Sequence, residues 1–133
     1  MFVDASALVA ILTGEPQRAV LLRCLGEAQA PITSGLAVFE TAAAVVRKTA
    51  VTAVAAQQEV EAFIGGVGMT IAPIADAESR IAIAAHARYG KGRSPARLNL
   101  GDCFAYACTK VHGVPLLFVG EDFPQTDIRP ALA

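Results

Sequence analysis

The sequence predicts an α/β fold, a three-layer α/β/α sandwich in which helices cover both faces of a mainly parallel central sheet. Three observations lead to this prediction. Short apolar runs alternate with helical patterns along the chain, as in parallel sheets. The run Pro115–Val119 has no polar residue, which is typical of a strand buried on both faces. The 133 residues, 54% hydrophobic and 17% charged, suit one domain spanning residues 1–133.

In the first half of the chain, two strands and four helices are predicted. Met1–Asp4 is the first strand, because an apolar start ends on an acid. Proline fits the first turn of a helix, so Pro16 begins the second helix. Ser34 is a favourable N-cap for the third. The other elements predicted here are a helix at Ser6–Leu12, the second helix to Ala28, a strand at Pro31–Thr33, and helices at Leu36–Lys48 and Thr52–Ile64.

The second half continues the alternation. A strand is predicted at Met69–Ala72 and a helix at Ala75–Arg88. Tyr89–Leu98 is rich in Gly, Pro and Arg and is therefore predicted to be a loop. A helix at Gly101–His112 leads to the apolar strand, and a loop at 120–127 leads to a terminal edge segment.

The distribution of charge is more informative than its total of −1. No acid occurs between Ser79 and Gly101, whereas five basic residues do. This stretch is either a solvated turn or an RNA contact, because phosphate contacts supply most nucleic-acid affinity. The candidates for RNA binding are Lys91, Arg93 and Arg97.

Several features predict a cytoplasmic protein that does not enter a membrane. The N-terminus lacks the basic region of a signal peptide. No apolar stretch approaches the roughly 20 residues that a membrane helix needs. The three cysteines, an odd number, are interpreted as buried thiols in a reducing compartment.

Acidic residues are predicted to meet at one edge of the sheet, since functional groups gather where parallel strands end and helices begin. Asp4 closes the first strand, and Asp102 lies in the first turn of the last long helix. Glu121 and Asp122 follow the last strand. Glu40 lies in the third helix among small apolar residues, where an ionised carboxylate needs a compensating cation or donor.

Each acid taken singly also has a structural explanation. Asp4 could cap the first helix, Asp122 could belong to a turn, and Asp102 is better explained alone as a helix-terminal acid. A crowd of acids is harder to explain in this way, because like charges repel unless a metal neutralises them. Oxygen ligands select Mg²⁺ or Mn²⁺, and such ions serve phosphodiester hydrolysis.

Four segments resemble the acidic motifs of the VapC-like toxins of the PIN-domain family, and together they span nearly the whole chain. Val3–Leu8 is similar to the first motif and Ala37–Glu40 to the second. The most specific segment, Arg97–Ala107, is similar to the third. Leu116–Phe123 resembles the fourth, but many members carry two aspartates where this chain has Glu followed by Asp.

The resemblance implies a PIN-like fold and a Mg²⁺-dependent endoribonuclease, with Mn²⁺ as an alternative ion. Such a protein is the toxin of a type II toxin–antitoxin pair, acts on RNA, dimerises through its helical faces and is blocked by a VapB-like antitoxin. The resemblance assigns catalysis to Asp4, Glu40, Asp102 and Asp122, metal binding to Asp4 and Asp102, and supporting roles to Ser6, Asn99 and Glu121.

Two other functions are compatible with the sequence. A PIN-fold protein of weak catalytic power could act by binding RNA or a protein partner, and the Glu121-Asp122 departure is its basis. A phosphatase-like hydrolase could use the same sheet architecture. Its aspartyl nucleophile is expected in an Asp-x-Asp pair, whereas Asp4-Ala5-Ser6 contains one acid.

Overall fold

Four short parallel strands form the central sheet of the computed structural model, which describes residues 1–132. Their order across the sheet is β3-β2-β1-β4. The predicted α/β fold with a parallel sheet is therefore confirmed. The strands are β1 (Phe2–Val3), β2 (Ile32–Ser34), β3 (Thr70–Ala72) and β4 (Leu116–Leu117).

Six helices connect these strands, and their caps follow from local sequence. Ser34, Thr52 and Asn99 each accept a hydrogen bond from a backbone N–H of the helix that follows. The second helix begins two residues after Pro16, because a turn from Glu15 to Arg18 precedes it. The helices are α1 (Ala5–Leu12), α2 (Arg18–Gly26), α3 (Gly35–Thr49), α4 (Ala53–Gly66), α5 (Asp76–Tyr89) and α6 (Leu100–His112).

Alternate residues of the central strands face two separate apolar cores. Phe2 and Leu116 pack in the core formed with α5 and α6. Val3 and Leu117 pack in a second core with residues of α1, α2 and α4. The sheet is thus covered on both faces, and the predicted three-layer arrangement is confirmed.

The central strand β1 lies between β2 and β4, so the chain reverses its direction across the sheet at the β1–β4 boundary. In open parallel sheets such a switch point leaves a crevice at the carboxyl ends of the strands. Asp4 and the loop after β4 both lie there. Beyond that loop, a short 3₁₀ helix (Phe123–Gln125) leads to Pro130, which pairs beside Leu116 as the predicted edge segment.

Some sequence-based expectations need correction. The last strand is limited to Leu116–Leu117, because the backbone N–H of Val119 donates to the Ser6 hydroxyl instead of to a strand. Cys24 is partly exposed, although Cys103 and Cys108 are buried as expected. None of the helices within residues 1–132 is long and apolar enough to span a membrane.

Candidate active site

Asp4 lies at the carboxyl end of β1, at the switch point of the sheet. Its side chain is 5% exposed. The carboxylate Oδ2 accepts hydrogen bonds from the backbone N–H of Ser6, at 3.0 Å, and from the Ser6 hydroxyl. Burial raises the pKa of Asp4 above its usual range, although the bonds from Ser6 oppose this shift. Asp4 is therefore the N-cap of α1 and also a buried acid at the site.

Ser6 connects the two central strands at this edge. Its hydroxyl donates to Asp4 and accepts from the backbone N–H of Val119 at 3.0 Å. The hydroxyl therefore joins the acid after β1 to the chain that leaves β4. These hydrogen bonds orient the Asp4 carboxylate.

Asp102 lies in the first turn of α6 and forms a capping box with Asn99. The Asp102 N–H donates to Asn99 Oδ1 at 2.9 Å, and the Asn99 N–H donates to Asp102 Oδ2 at 3.1 Å. Burial, opposed by the hydrogen bond from Asn99 and helped by the charges of Asp4 and Asp122, raises the pKa of Asp102 to about 6. The capping interpretation of Asp102 is thus correct as geometry, and the same carboxylate also lies in the field of the other acids.

Glu40 reaches the same place from α3. The side chain is half-buried, and burial together with the charges of Asp4 and Asp102 raises its pKa to about 7. Its carboxylate lies directly against the backbone of Gly101 in α6. The structure therefore brings together Asp4, Glu40 and Asp102 from three different elements.

The two acids after β4 differ in their relation to this group. Both Glu121 and Asp122 are exposed. Asp122 is close enough to raise the pKa of Asp102, whereas Glu121 does not contribute to that shift. Of the pair, Asp122 is therefore the acid that interacts with the cluster. We refer to Asp4, Glu40, Asp102 and Asp122 as the acidic edge.

The acidic edge is a neighbourhood of like charges rather than a formed coordination sphere. Within residues 1–132, no three His, Cys, Asp or Glu side chains have their ligating atoms gathered for one ion. The ion pairs described in this same part of the chain engage Glu15, Asp76 and Asp127, not the acidic edge. The charges of Asp4 and Asp102 help to raise the pKa of Glu40, and those of Asp4 and Asp122 help to raise the pKa of Asp102. An all-oxygen donor set of this kind fits a hard divalent cation.

The basic loop, residues 90–98, joins α5 to α6 and leads directly into the acidic edge. Lys91, Arg93 and Arg97 are all exposed on it. Backbone bonds between Lys91 and Leu98, and between Leu98 and Tyr89, fold the loop back on the end of α5. Arg97 has a left-handed φ of 55°, which non-glycine residues seldom adopt, and the cap of α6 follows two residues later.

Two features of the site were not predicted from sequence. The contact between Gly101 and Glu40 depends on how α3 and α6 pack, which no local pattern encodes. The other feature is Asp127, a carboxylate outside the acidic edge. It accepts hydrogen bonds from Tyr106 and Lys110 and anchors the chain that follows Asp122 to α6. A tyrosine and a lysine four residues apart on α6 were the available signal for such an anchor.

Comparisons with known proteins agree with this fold. The PIN domain model matches residues 1–129. Ribonuclease VapC42 of Mycobacterium tuberculosis is 38% identical over 132 residues, which cover 98% of this chain and 98% of that protein. A ribonuclease VapC of Mycolicibacterium smegmatis is 37% identical over 128 residues, which cover 96% of this chain and 97% of that one.

A solved structure supports the fold alone. The crystal structure of Mycobacterium tuberculosis VapC20, described as a sarcin-ricin loop cleaving toxin, has a TM-score of 0.74 and 18% sequence identity. The match covers 97% of this chain and 98% of that one. The α/β/α sandwich of this chain, with acids at its switch point, is a PIN domain. The chain belongs to the PIN-domain family, and its full-length relatives place it among the VapC-like ribonuclease toxins.

Proposed function

We propose that this protein is a divalent-metal-dependent endoribonuclease and the toxin of a toxin–antitoxin pair. The observation that carries the metal dependence is the convergence of Asp4, Glu40 and Asp102 with raised pKa values and without a described ion pair. Names of full-length relatives support the activity, because those proteins are called VapC ribonucleases. The RNA substrate is therefore part of the proposal.

The acidic edge would hold Mg²⁺, or Mn²⁺ in its place. Asp4 and Asp102 are the proposed ligands, because their carboxylates are oriented by Ser6 and Asn99. Glu40 and Asp122 complete the negative surroundings of the site. When bound, such an ion would lower the pKa of a water molecule and would stabilise negative charge on the phosphate under attack.

The protein's own residues then have separate tasks. Ser6 and Asn99 keep two carboxylates in fixed orientations by hydrogen bonds to Oδ2 of each acid. Asp122 and Glu121 lie on the exposed side, where the RNA backbone would approach. Lys91, Arg93 and Arg97 would contact phosphates, which position a nucleic acid without reading its sequence.

The proposed partners are a VapB-like antitoxin and a second copy of the chain. Large apolar side chains remain exposed, among them Phe39 at 70% and Leu100 at 69%. A groove of about 540 Å³ lies between α3 and α4 and is lined by Val38, Phe39 and Val46 among others. Exposed apolar surface of this kind is usually covered by protein partners.

The test is cleavage of total RNA by the antitoxin-free protein with Mg²⁺ or Mn²⁺, with EDTA as a control. Asp102→Asn is the diagnostic variant, because it removes the charge but keeps an oxygen that can accept the Asn99 N–H. Cleavage that needs the ion and the Asp102 carboxylate supports the proposal. If the folded protein cuts no RNA with either ion, the binding role described above replaces it.

A further inference from the structure

We propose that Gly101 is a positioning residue for the acidic edge: its missing side chain lets the first turn of α6 lie against the Glu40 carboxylate, so that Glu40 and Asp102 reach the same site. This inference rests on the proposed function for its meaning, but its geometry stands independently. No role in contact with substrate is assigned to Gly101.

The Glu40 carboxylate of α3 occupies the space that a side chain at Gly101 of α6 would need. A β-carbon built on Gly101 would overlap the Glu40 carboxylate, and it would lie 2.5 Å from both Cδ and Oε1. Real β-carbons are essentially never found closer than 3.0 Å to another heavy atom. Gly101 is buried and Glu40 is half-buried, so the group most able to give way is the Glu40 carboxylate at the end of its flexible side chain. An alanine would therefore displace either Glu40 or the start of α6.

Backbone conformation does not explain this glycine. Gly101 lies inside α6, two residues after its N-cap, where no left-handed φ requires glycine. Glycine in a helix lowers stability relative to alanine, because it loses more conformational freedom on folding. The glycines of α4 provide a contrast, since a β-carbon on Gly65 would meet nothing within 4 Å. The contact with Glu40 is thus the reason that remains for glycine at position 101.

The displacement would act on the metal site through Asp102. Asp102 follows Gly101 directly, and its carboxylate is held by Asn99 in the same turn. A shift of that turn moves Asp102 relative to Asp4, which is fixed at the end of β1. A shift of Glu40 instead removes one carboxylate from the group. Either response loosens the set of acids.

A double-mutant cycle on the full chain tests the proposal. Gly101→Ala is made alone and together with Glu40→Ala, and thermal melting is recorded in EDTA. We expect Gly101→Ala to lower the melting temperature by several degrees in the parent. In the Glu40→Ala background, the same change should leave the melting temperature unchanged or raise it, because the obstructing carboxylate is gone. Gly65→Ala is the matched control and should not lower the melting temperature in either background.

Mn²⁺ affinity, measured by calorimetry, gives a readout that a general packing defect would not produce. We expect Gly101→Ala to weaken Mn²⁺ binding by about tenfold or more in the parent, the scale of lost support around a metal site. In the Glu40→Ala background, Gly101→Ala should cause little further loss of Mn²⁺ affinity. If Gly101→Ala alone fails to fold, recovery of folding in the double variant supports the proposal.

Two outcomes overturn the inference. One is an equal drop in melting temperature in both backgrounds, and the other is failure of both Gly101→Ala proteins to fold. The proposed function is tested separately by RNA cleavage. If the double-mutant cycle gives the expected result but the protein cuts no RNA, the positioning role of Gly101 stands and the proposed nuclease activity is wrong.

Discussion

Two groups of carboxylates in this molecule are surrounded in opposite ways. At the acidic edge, burial raises the pKa of Asp4, and burial together with neighbouring acids raises the pKa of Glu40 and Asp102. At the C-terminal anchor, burial also opposes ionisation of Asp127, but hydrogen bonds from Tyr106 and Lys110 outweigh it and lower the pKa of that carboxyl. Among the described residues, the acids of the acidic edge form no ion pair, whereas Asp127 pairs with Lys110.

The anchor shows what an acid with a structural role looks like in this chain. Asp127 accepts from Tyr106 at 2.8 Å and pairs with Lys110 at 3.2 Å. Lys110 also lies over the Tyr106 ring. These contacts join the chain after β4 to α6 entirely within the protein. At the acidic edge Ser6 and Asn99 donate hydrogen bonds to Asp4 and Asp102, but no ion pair of the described residues includes these acids, so in their ionised forms they favour a cation from outside.

The largest expected effect comes from removing charge at the acidic edge while keeping its hydrogen bonds. Asp4→Asn retains an oxygen that can cap α1, because asparagine is as good an N-cap as aspartate. We expect RNA cleavage to fall by at least about 100-fold, since even residues that only support a metal ligand cost up to that amount. Single-turnover cleavage rates in Mg²⁺ measure it.

The matched control is Asp127→Asn at the anchor, which should retain most of the activity. Circular dichroism should show that both variants are folded. A similar loss of activity in the two variants would mean that the acidic edge has no special role and that the contrast between the groups is wrong.

The same kind of neutralisation should change stability in opposite directions at the two places. Glu40→Gln removes a half-buried carboxylate whose pKa is raised to about 7. We expect it to stabilise the metal-free protein by about 1 kcal/mol at about pH 8, after allowing for solvent screening. Asp127→Asn removes a charge that accepts two bonds and should destabilise by about 1 kcal/mol. Urea unfolding in EDTA measures both, and a loss of stability on Glu40→Gln would contradict the account.

The two groups should also affect stability in different ranges of pH. A raised carboxyl pKa favours the folded state below the unfolded value, and that advantage is lost as the pH rises through the folded values of about 6 for Asp102 and about 7 for Glu40. The lowered pKa of Asp127 has the opposite sign, so its contribution is lost only as the pH falls below its usual value of 3.8.

We therefore expect the metal-free protein to lose stability between about pH 5 and pH 8, and Mn²⁺ to reverse this loss, because it binds the ionised acids. Thermal melting across this range, with EDTA or with Mn²⁺, is the measurement. A metal-free protein that gains stability steadily from pH 5 to pH 8 would be the opposite result.

Much of the fold could be predicted because it depends on local sequence. The N-caps Ser34 and Asn99 lie where their side chains can bond the next helix turn, and the parallel sheet follows from the alternation of elements. Predictions erred where a distant contact decides. Tyr89 was predicted in a loop, but it ends α5 because its ring packs against Tyr106 and its hydroxyl faces Asp127.

The candidate site divides in the same way. Asp4 and Asp102 occupy positions, the end of a strand and the start of a helix, that a sequence pattern identifies. Their nearness to Glu40 required the packing of α3 on α6, which puts the Glu40 carboxylate where a side chain at Gly101 would be. The pairing of Asp127 with Tyr106 joins residues 21 apart with β4 between them, and the spacing of Tyr106 and Lys110 on α6 does not identify the acid that they bind.

The smallest effects are expected from substitutions in the basic loop. They test binding of RNA, whereas the substitutions at the acidic edge test binding of a metal ion. Lys91, Arg93 and Arg97 are exposed and would meet phosphates rather than bases. Arg93→Gln should weaken RNA binding only severalfold and reduce the slope of log affinity against log salt by about 1. Arg80→Gln is the control, because Arg80 pairs with Asp76 on the exposed face of α5 and its loss should leave the slope unchanged. Filter binding of RNA to the Asp4→Asn protein, without cleavage, measures both. An unchanged slope for Arg93→Gln would make the loop an ordinary solvated turn and leave the acidic edge as the one part of the proposed RNA site.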